Sequence, residues 1–224
     1  MSLQRNLIEQ IEFFNCLNDS EKKYLAERSE IKVKGRYNYV YLADESSDNM
    51  NILLKGTIKI GTHSADGKEI IKSIIHPQAI FGEMCIMGEE KRIDFAKSMG
   101  DGIEYFTVSK NTMLELMKAN HQLSQSFMNT IGKRLKRAEH RLESLIFKDA
   151  RSRIIDFLKD SVERRGRQVG FEVMFKHTLT QQDIANLTGT SRQTVTSVLN
   201  ELKKDNLIYF TRKSILVRDV AKLV

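Results

Sequence analysis

The stretch that most constrains the fold runs from Thr178 to Arg212 and contains two capped helical patterns separated by a glycine. Thr180 and Asp183 have the three-residue spacing of a capping box, which predicts the start of a first helix. Gly189 provides the permissive backbone that a sharp turn needs, and Ser191 is suited to cap a second helix. Apolar residues recur at helical spacing in both: Ile184, Ala185 and Leu187 in the first helix, and Val195, Val198, Leu199 and Leu202 in the second. This order of signals predicts a helix-turn-helix.

The second helix has a polar face near its N-terminus, which is where a recognition helix meets base edges in the major groove. The residues on this face are Arg192, Gln193, Thr196 and Ser197. Two short apolar runs follow, Leu207–Phe210 and Ile215–Val217, and Thr211–Ser214 between them predicts the turn of a β-wing. We therefore expect a winged helix-turn-helix with double-stranded DNA as its partner. An ordinary small helical domain with capped helices is the alternative.

The net charge of +7 is unevenly distributed along the chain. Residues 150–224 contain 14 Lys and Arg against 8 Asp and Glu, whereas residues 1–149 contain 22 against 21. The basic surplus thus lies in the same part of the chain as the helix-turn-helix, as binding to DNA phosphates requires. Without that motif, a solvated basic face would explain it equally well.

Several classes of protein are disfavoured by what the sequence lacks. No apolar run approaches the roughly 20 residues of a membrane span, and the N-terminus has no signal-peptide core, so we expect a cytoplasmic protein without membrane contact. Cys16 and Cys85 are too few for a disulfide framework. The histidines at 63, 76, 121, 140 and 177 are scattered, which predicts no metal site. No nucleophile–base motif or P-loop is present, so we expect neither catalytic residues nor enzyme activity.

The region before the helix-turn-helix changes texture twice. Residues 3–29 have a helical pattern, and residues 31–108 contain short β-like runs punctuated by turns. Asp66-Gly67 is a strong hairpin signal, and Gly56 and Gly61 suggest turns or bulges. The predicted strands are Tyr37–Leu42, Asn51–Leu54, Thr57–Gly61, Ile70–Ile75 and Glu104–Val108. Closely spaced short strands of this kind favour a small β-barrel or jelly roll.

Residues 111–161 return to a helical pattern. A long apolar seam with charged flanks indicates a coiled-coil homodimer, although packing against the protein's own barrel is the alternative. The seam residues are Leu123, Phe127, Ile131, Leu135, Ala138, Leu142 and Leu145. We expect a hinge near Phe147–Asp149 and an exposed loop at Arg164–Gly170.

The order of these parts resembles the Crp–Fnr family of bacterial transcription regulators over residues 10–220. Three stretches carry the resemblance: LLKGTIKIGTHSADGKEIIKSIIHPQAIFGEMCIMGEEKR, the helix ending LIFKDARSRIIDFL, and LTQQDIANLTGTSRQTVTSVLNELKKDNLI. The resemblance implies an α+β fold: a barrel or jelly-roll sensor domain of the cyclic-nucleotide-binding type at residues 1–119, a dimerisation helix and hinge at 120–148, and a winged helix-turn-helix at 149–224. A cyclic-nucleotide-binding regulatory subunit that acts on protein partners is the alternative function.

The resemblance also places an effector pocket. Gly82 and Glu83 match the family's phosphate-binding cassette, and Arg92 stands at a usable spacing. Ile93 occupies the position of a hydroxyl residue, while Ala138 and Glu139 align with the pair that contacts the base in cAMP-binding members. Because Ile93 and Ala138 offer no hydrogen bond, cAMP is disfavoured, and a different small molecule or no ligand remains open.

Some members of the family sense gas or redox state, which leaves the cofactor open. Two cysteines cannot supply the four ligands of an iron–sulfur cluster. Haem remains an alternative, with His76, Cys85, His121 and His140 as candidate ligands.

The resemblance finally predicts how DNA is read. Arg192 aligns with a guanine-reading arginine, Gln193 is suited to adenine, and Ser197 is too short for the contact made by the arginine at its position in other members. We expect a palindromic operator whose half-sites lie about 34 Å apart and differ from TGTGA. If the protein is an activator, RNA polymerase is a further partner. Candidate phosphate contacts are Thr180, Thr190, Ser191, Thr194, Arg212 and Lys213.

Overall fold

The computed structural model describes residues 3–223, which form two compact units. The first unit comprises residues 3–63 and 72–137, and the second comprises residues 64–71 and 138–223. The division between the units falls within the long helix, whereas the sequence predicts boundaries at its two ends. No helix among the described residues is both long and apolar enough to cross a membrane.

The first unit begins with two short helices rather than one helical region over residues 3–29. Helix α1 is Leu3–Glu9, a 3-10 turn spans Glu12–Phe14, and helix α2 is Asp19–Glu27. The start of α2 is set by a capping box, in which Asn18 and Glu21 each accept a 2.9 Å hydrogen bond from the other's backbone N–H.

Six antiparallel strands form the sheet of the first unit, ordered β1-β6-β3-β4, with β2 on β6 and β5 on β3. The pairing is open in the described residues, because nothing pairs β1 with β4, so the predicted barrel is not closed. The strands are β1 Ser29–Lys34, β2 Tyr39–Tyr41, β3 Asn49–His63, β4 Glu69–Ile75, β5 Ile80–Phe81 and β6 Phe95–Ser109.

Strand β3 is continuous where the sequence predicts two strands, Asn51–Leu54 and Thr57–Gly61. Its register against β6 shifts between Leu53 and Thr57, so the predicted break is a bulge within one strand. Gly56 lies in this bulge with φ of +88°, and a Cβ there would approach the Gly102 carbonyl oxygen to 2.2 Å. Position 56, where β3 bulges against β6, therefore requires glycine.

Two helices follow the sheet. Helix α3 is Lys110–Ala119 and helix α4 is His121–Phe147. Leu123 and Phe127 of α4 are buried in the main apolar core of the first unit, together with Phe14 and Phe106. These two α4 residues therefore pack against the protein's own sheet, and their predicted place in a dimer seam is wrong.

The exposed side of α4 carries a different apolar pattern. Besides Ile146 and Phe147 at its end, α4 has four large apolar side chains that are more than half exposed, namely Met128, Leu135, Leu142 and Leu145. With Ile131 and Ala138 they recur in alternating steps of three and four residues. This is a heptad repeat, and its members from Ile131 to Leu145 belong to the predicted seam, whereas Met128 does not.

Besides the end of α4, the described part of the second unit contains three α-helices and a four-stranded antiparallel sheet of order β7-β8-β10-β9. The helices are α5 Ala150–Arg165, α6 Gln181–Thr188 and α7 Arg192–Lys204, and the strands are β7 Arg167–Val169, β8 Glu172–Lys176, β9 Ile208–Phe210 and β10 Ser214–Val217. The predicted wing is confirmed, because β9 and β10 pair. The predicted loop at Arg164–Gly170 is wrong, because that segment ends α5 and forms β7. The sequence pattern missed β7 because its three residues are all exposed and carry no apolar alternation.

Candidate DNA-binding surface and effector pocket

The turn between α6 and α7 has the geometry that the sequence predicts. Thr180 and Asp183 form the capping box of α6, and the side chain of Ser191 caps α7 by accepting from the N–H of Thr194. Gly189 ends α6 in the left-handed region with φ of +63°. A Cβ added to Gly189 would lie 3.0 Å from Leu145 Cδ2, so the turn also requires a small residue.

Helix α7 separates a buried face from a polar face. The buried face of α7 consists of Val195, Val198, Leu199 and Leu202. Arg192, Gln193 and Ser197 are exposed, as is Asn200, whereas Thr196 is half-buried. Asn200 was not among the predicted base-reading residues, although its seven-residue separation from Gln193 places both on one side of a helix.

The candidate phosphate contacts differ in what they can donate. Thr180 Oγ1 donates to Asp183 Oδ2 at 2.7 Å, so its only proton is not available for a phosphate. The hydroxyls of Ser191 and Thr194 are 2.8 Å apart, and one proton of this pair remains for an outside acceptor. Arg212 and Lys213 are exposed between β9 and β10, and Thr190 is half-buried after Gly189.

Arg153 of α5 holds the turn in place. Its Nε donates to the carbonyl oxygen of Thr188 at 2.8 Å, Nη2 to that of Gly189 at 3.1 Å, and Nη1 to that of Lys148 at 2.7 Å. One guanidinium thus joins the turn between α6 and α7 to the chain just after α4. The predicted hinge near Phe147–Asp149 coincides with the break between α4 and α5. The hydrogen bond from Arg153 to the Lys148 carbonyl oxygen lies at this break.

A cavity of about 100 Å³ lies in the first unit around Gly82 and Arg92. Arg92 is only 4% exposed. Its Nη1 donates to the Gly82 carbonyl oxygen at 2.8 Å and Nη2 to the Asn49 carbonyl oxygen at 2.5 Å, while Glu89 lies 3.5 Å from Nη1. The guanidinium also lies over the ring of Tyr41 at 4.4 Å. Arg92 is therefore held by groups of the protein itself.

The carboxylate of Glu83 is held by a residue of α4. It is buried, it accepts a hydrogen bond from Arg134 Nη1, and Nη2 of Arg134 donates to the carbonyl oxygen of Ile80. Arg134 is not among the predicted pocket residues. No sequence signal pairs it with Glu83, because 51 residues separate the two and their contact depends on the fold.

The remaining charged side chains of the cavity lining also include an ion pair. Asp94 lies 3.6 Å from Lys72 Nζ. Burial raises the pKa of the Asp94 carboxyl and also raises the pKa of Tyr41. The lining therefore contains three cationic side chains, Lys72, Arg92 and Arg134, and three carboxylates, Glu83, Glu89 and Asp94.

Three of the six predicted pocket residues are absent from this lining. Ile93 is 64% exposed. Ala138 and Glu139 are exposed residues of the second unit. The structure therefore brings together Gly82, Glu83 and Arg92 only.

The candidate haem ligands differ in their surroundings. Cys85 is fully buried in the apolar core, and burial raises the pKa of its thiol to about 11. His121 and His140 are exposed, and His140 lies 3.8 Å from Glu143. Among residues 3–223, no group of three or more His, Cys, Asp and Glu side chains could hold a metal ion.

Two family models match the two ends of the chain. Residues 36–120 match the cyclic nucleotide-binding domain, and residues 152–224 match the Crp-like helix-turn-helix domain. A CRP-like cAMP-activated global transcriptional regulator of Mycobacterium tuberculosis is 29% identical over 184 residues, 82% of each chain. A global nitrogen regulator of Synechocystis is 23% identical over 185 residues, again 82% of each chain.

Solved structures support the same fold. FixK2 from Bradyrhizobium japonicum superposes with a TM-score of 0.78 at 18% identity, over 87% of this chain and 95% of that one. The two matched domains stand in the order that the sequence predicts, with the long helix α4 between them. The chain belongs to the Crp–Fnr family of DNA-binding transcription regulators.

Proposed function

We propose that this regulator binds a palindromic operator as a homodimer, with the exposed face of α7 in the major groove. The observation that carries the proposal is the polar face of α7, where Arg192, Gln193 and Ser197 are exposed above a fully apolar underside. The basic surplus of residues 150–224 supplies the attraction to phosphates.

The dimer is supported by the exposed heptad repeat of α4. Alternating three- and four-residue steps from Met128 to Leu145 are the spacing with which two helices pack knobs into holes. Two copies joined along this seam present two recognition helices to one duplex. Their half-sites then lie about one helical turn, or roughly 34 Å, apart.

The half-site differs from TGTGA. A bidentate contact from Arg192 to guanine contributes about 1–3 kcal/mol of discrimination, and Gln193 can bind adenine in the same bidentate manner. Ser197 does not reach as far as an arginine at its position. The test is selection of binding sites from random DNA with the full chain, followed by sedimentation of the complex. Recovery of TGTGA half-sites would contradict the proposed specificity, and one copy bound per operator would contradict the dimer.

The first unit regulates DNA affinity through a small molecule other than cAMP. Ligand pockets usually measure roughly 300–1,000 Å³, whereas this cavity measures about 100 Å³. Each cationic side chain of the lining lies beside a carboxylate, so a phosphate entering here meets Glu83, Glu89 and Asp94 as well. An effector enlarges the cavity by separating Arg134 from Glu83, and it acts by binding one state of the protein more tightly than the other.

Calorimetry tests the choice of effector. We expect no heat of cAMP binding at micromolar concentrations. Micromolar binding of cAMP that is abolished by Arg92→Ala would contradict the proposal. Mass analysis of molecules released from the purified native protein would identify the effector, and an empty protein that binds its operator tightly would contradict regulation through this cavity. If the regulator is an activator, it also contacts RNA polymerase when it is bound at the operator.

A further inference from the structure

The hydroxyl group of Thr196 lies where the two helices of the helix-turn-helix meet. Its Oγ1 is 2.7 Å from Oε1 of Gln181, the first residue of α6, and 2.9 Å from the carbonyl oxygen of Arg192. Both neighbours are oxygen acceptors, and a threonine hydroxyl has one proton and two lone pairs. The proton of Thr196 is therefore directed into the protein, and lone pairs of Oγ1 are what the hydroxyl presents outward.

We propose that Thr196 accepts a hydrogen bond from an exocyclic amino group in the major groove and that Gln181 fixes it in this role. The inference rests on the proposed placement of α7 in that groove. The amino groups are N6 of adenine and N4 of cytosine, whereas guanine and thymine present O6 and O4, which only accept. A freely rotating hydroxyl serves either kind of base. A hydroxyl with its proton committed selects adenine or cytosine.

The conclusion holds for both orientations of the Gln181 amide. If Nε2 faces Thr196 instead of Oε1, it donates to Oγ1, and the proton of Thr196 goes to the Arg192 carbonyl oxygen. One lone pair of Oγ1 then remains. Toward DNA the hydroxyl is an acceptor in either case.

The position of Thr196 on α7 agrees with this role. It lies four residues after Arg192 and four residues before Asn200, both of which are exposed. Thr196 is half-buried, and its spacing from these two residues places it on the side of α7 that carries the base-reading residues. Gln181 acts through Thr196 and is a positioning residue.

The first experiment compares two matched variants, Thr196→Ser and Thr196→Val, with the unaltered full chain. Thr196→Ser keeps the hydroxyl, whereas Thr196→Val keeps the shape and removes it. Binding sites are selected from random DNA with each protein. We expect one half-site position at which the unaltered chain and Thr196→Ser prefer adenine or cytosine by about three- to tenfold, the range of one hydrogen bond. Thr196→Val should lose this preference and retain those at the other positions.

The second experiment tests Gln181. We expect Gln181→Ala to reduce discrimination at that same position, and the double variant with Thr196→Val to behave like Thr196→Val alone, because the two residues act as a unit. A purely structural role would lower affinity for all sequences equally and lower the unfolding temperature, which thermal unfolding measures on each variant.

Three results would overturn the proposal. The first is an adenine or cytosine preference that survives Thr196→Val. The second is an effect of Gln181→Ala at a different operator position, or one that adds to that of Thr196→Val. The third is the absence of any enriched sequence for the unaltered chain, which would remove the placement of α7 itself. The first two results contradict only the role of Thr196 and Gln181, whereas the third contradicts the placement of α7 in the major groove. Failure of the inference can therefore be distinguished from failure of the proposed function.

Discussion

At the scale of single residues, Gly189 combines two constraints that can be separated by experiment. Its φ of +63° and the 3.0 Å approach of Leu145 to the place of a Cβ both disfavour a side chain. Gly170 has the same φ of +63° but nothing within 4 Å of that place. We expect Gly170→Ala to lower the free energy of unfolding by about 1–2 kcal/mol, the cost of a left-handed residue with a Cβ, and Gly189→Ala to lower it by more. Urea unfolding of both variants measures the difference, and equal losses would show that the Leu145 contact costs nothing.

His177 makes the stability of the second unit depend on pH. Both of its ring nitrogens are buried. Burial lowers the pKa of His177, and the positive charge of Arg165 acts in the same direction, which together outweigh a backbone interaction with Leu179. The folded state therefore favours the neutral ring. Its contribution is fully present above the unfolded pKa of about 6.5 and is lost as the pH falls through the lower folded value.

The variant His177→Phe isolates this effect, because it keeps a ring beside Phe175 without a titratable group. We expect the unfolding temperature of the unaltered chain to fall more between pH 7.5 and pH 5 than that of the variant. The difference between the two curves removes the contribution of other groups such as Asp94. Parallel curves would show that His177 is neutral or charged alike in both states.

At the scale of secondary-structure elements, Arg153 determines how α5 holds the helix-turn-helix. Its three hydrogen bonds to carbonyl oxygens require a fork-shaped donor, so a lysine at this position cannot replace them. We expect Arg153→Lys to lower the free energy of unfolding by at least about 1.5 kcal/mol and to weaken operator binding. Arg151→Lys is the control on the same helix, since the side chains of the Arg151–Glu201 ion pair are 39% and 47% exposed and the change should alter stability by less than about 1 kcal/mol. If Arg153→Lys lowers the free energy of unfolding no more than Arg151→Lys does, the hydrogen bonds of Arg153 do not hold the helix-turn-helix in place.

The elements that could be predicted from the sequence are those with local signals. The caps at Thr180 and Ser191 and the turn at Gly189 involve residues three or four apart, and the structure has all of them. The contact between Arg134 and Glu83 spans 51 residues, and that between Gln181 and Thr196 spans 15. Such pairs depend on how elements pack, so no periodicity reports them. The sequence thus predicts the elements that carry the site, whereas which polar groups satisfy one another follows only from the fold.

The long helix shows the same division within one element. Its apolar residues are evident from the sequence, but those that face the core and those that face solvent form two overlapping periodic patterns. Leu123 and Phe127 fit the predicted seam and are buried in the first unit, while Met128 one residue later begins the exposed repeat. A single period of 3.5 residues cannot tell which apolar residues of α4 face the core and which face solvent. Burial against a neighbouring element is what separates them.

At the scale of the whole molecule, the exposed repeat of α4 links oligomeric state to the form of the operator. A charge at Leu142, which is 60% exposed in the single chain, should cost the fold little and prevent two seams from packing together. We therefore expect Leu142→Glu to sediment as a monomer with an unchanged unfolding temperature. The matched control is Val33→Glu, since Val33 is 75% exposed on β1 and lies outside the repeat.

The effect of Leu142→Glu on DNA affinity should depend on the number of half-sites in the DNA. When two linked heads bind one palindrome, the second contact benefits from a high effective concentration, which contributes about 10²- to 10⁴-fold to affinity. Leu142→Glu should lose this factor on a palindromic operator while its affinity for an isolated half-site stays that of a single head. Titration of both DNAs with the variant and with Val33→Glu measures this. An unchanged affinity of Leu142→Glu for the palindrome would mean that α4 does not join the two copies and that another surface must hold the recognition helices one turn apart.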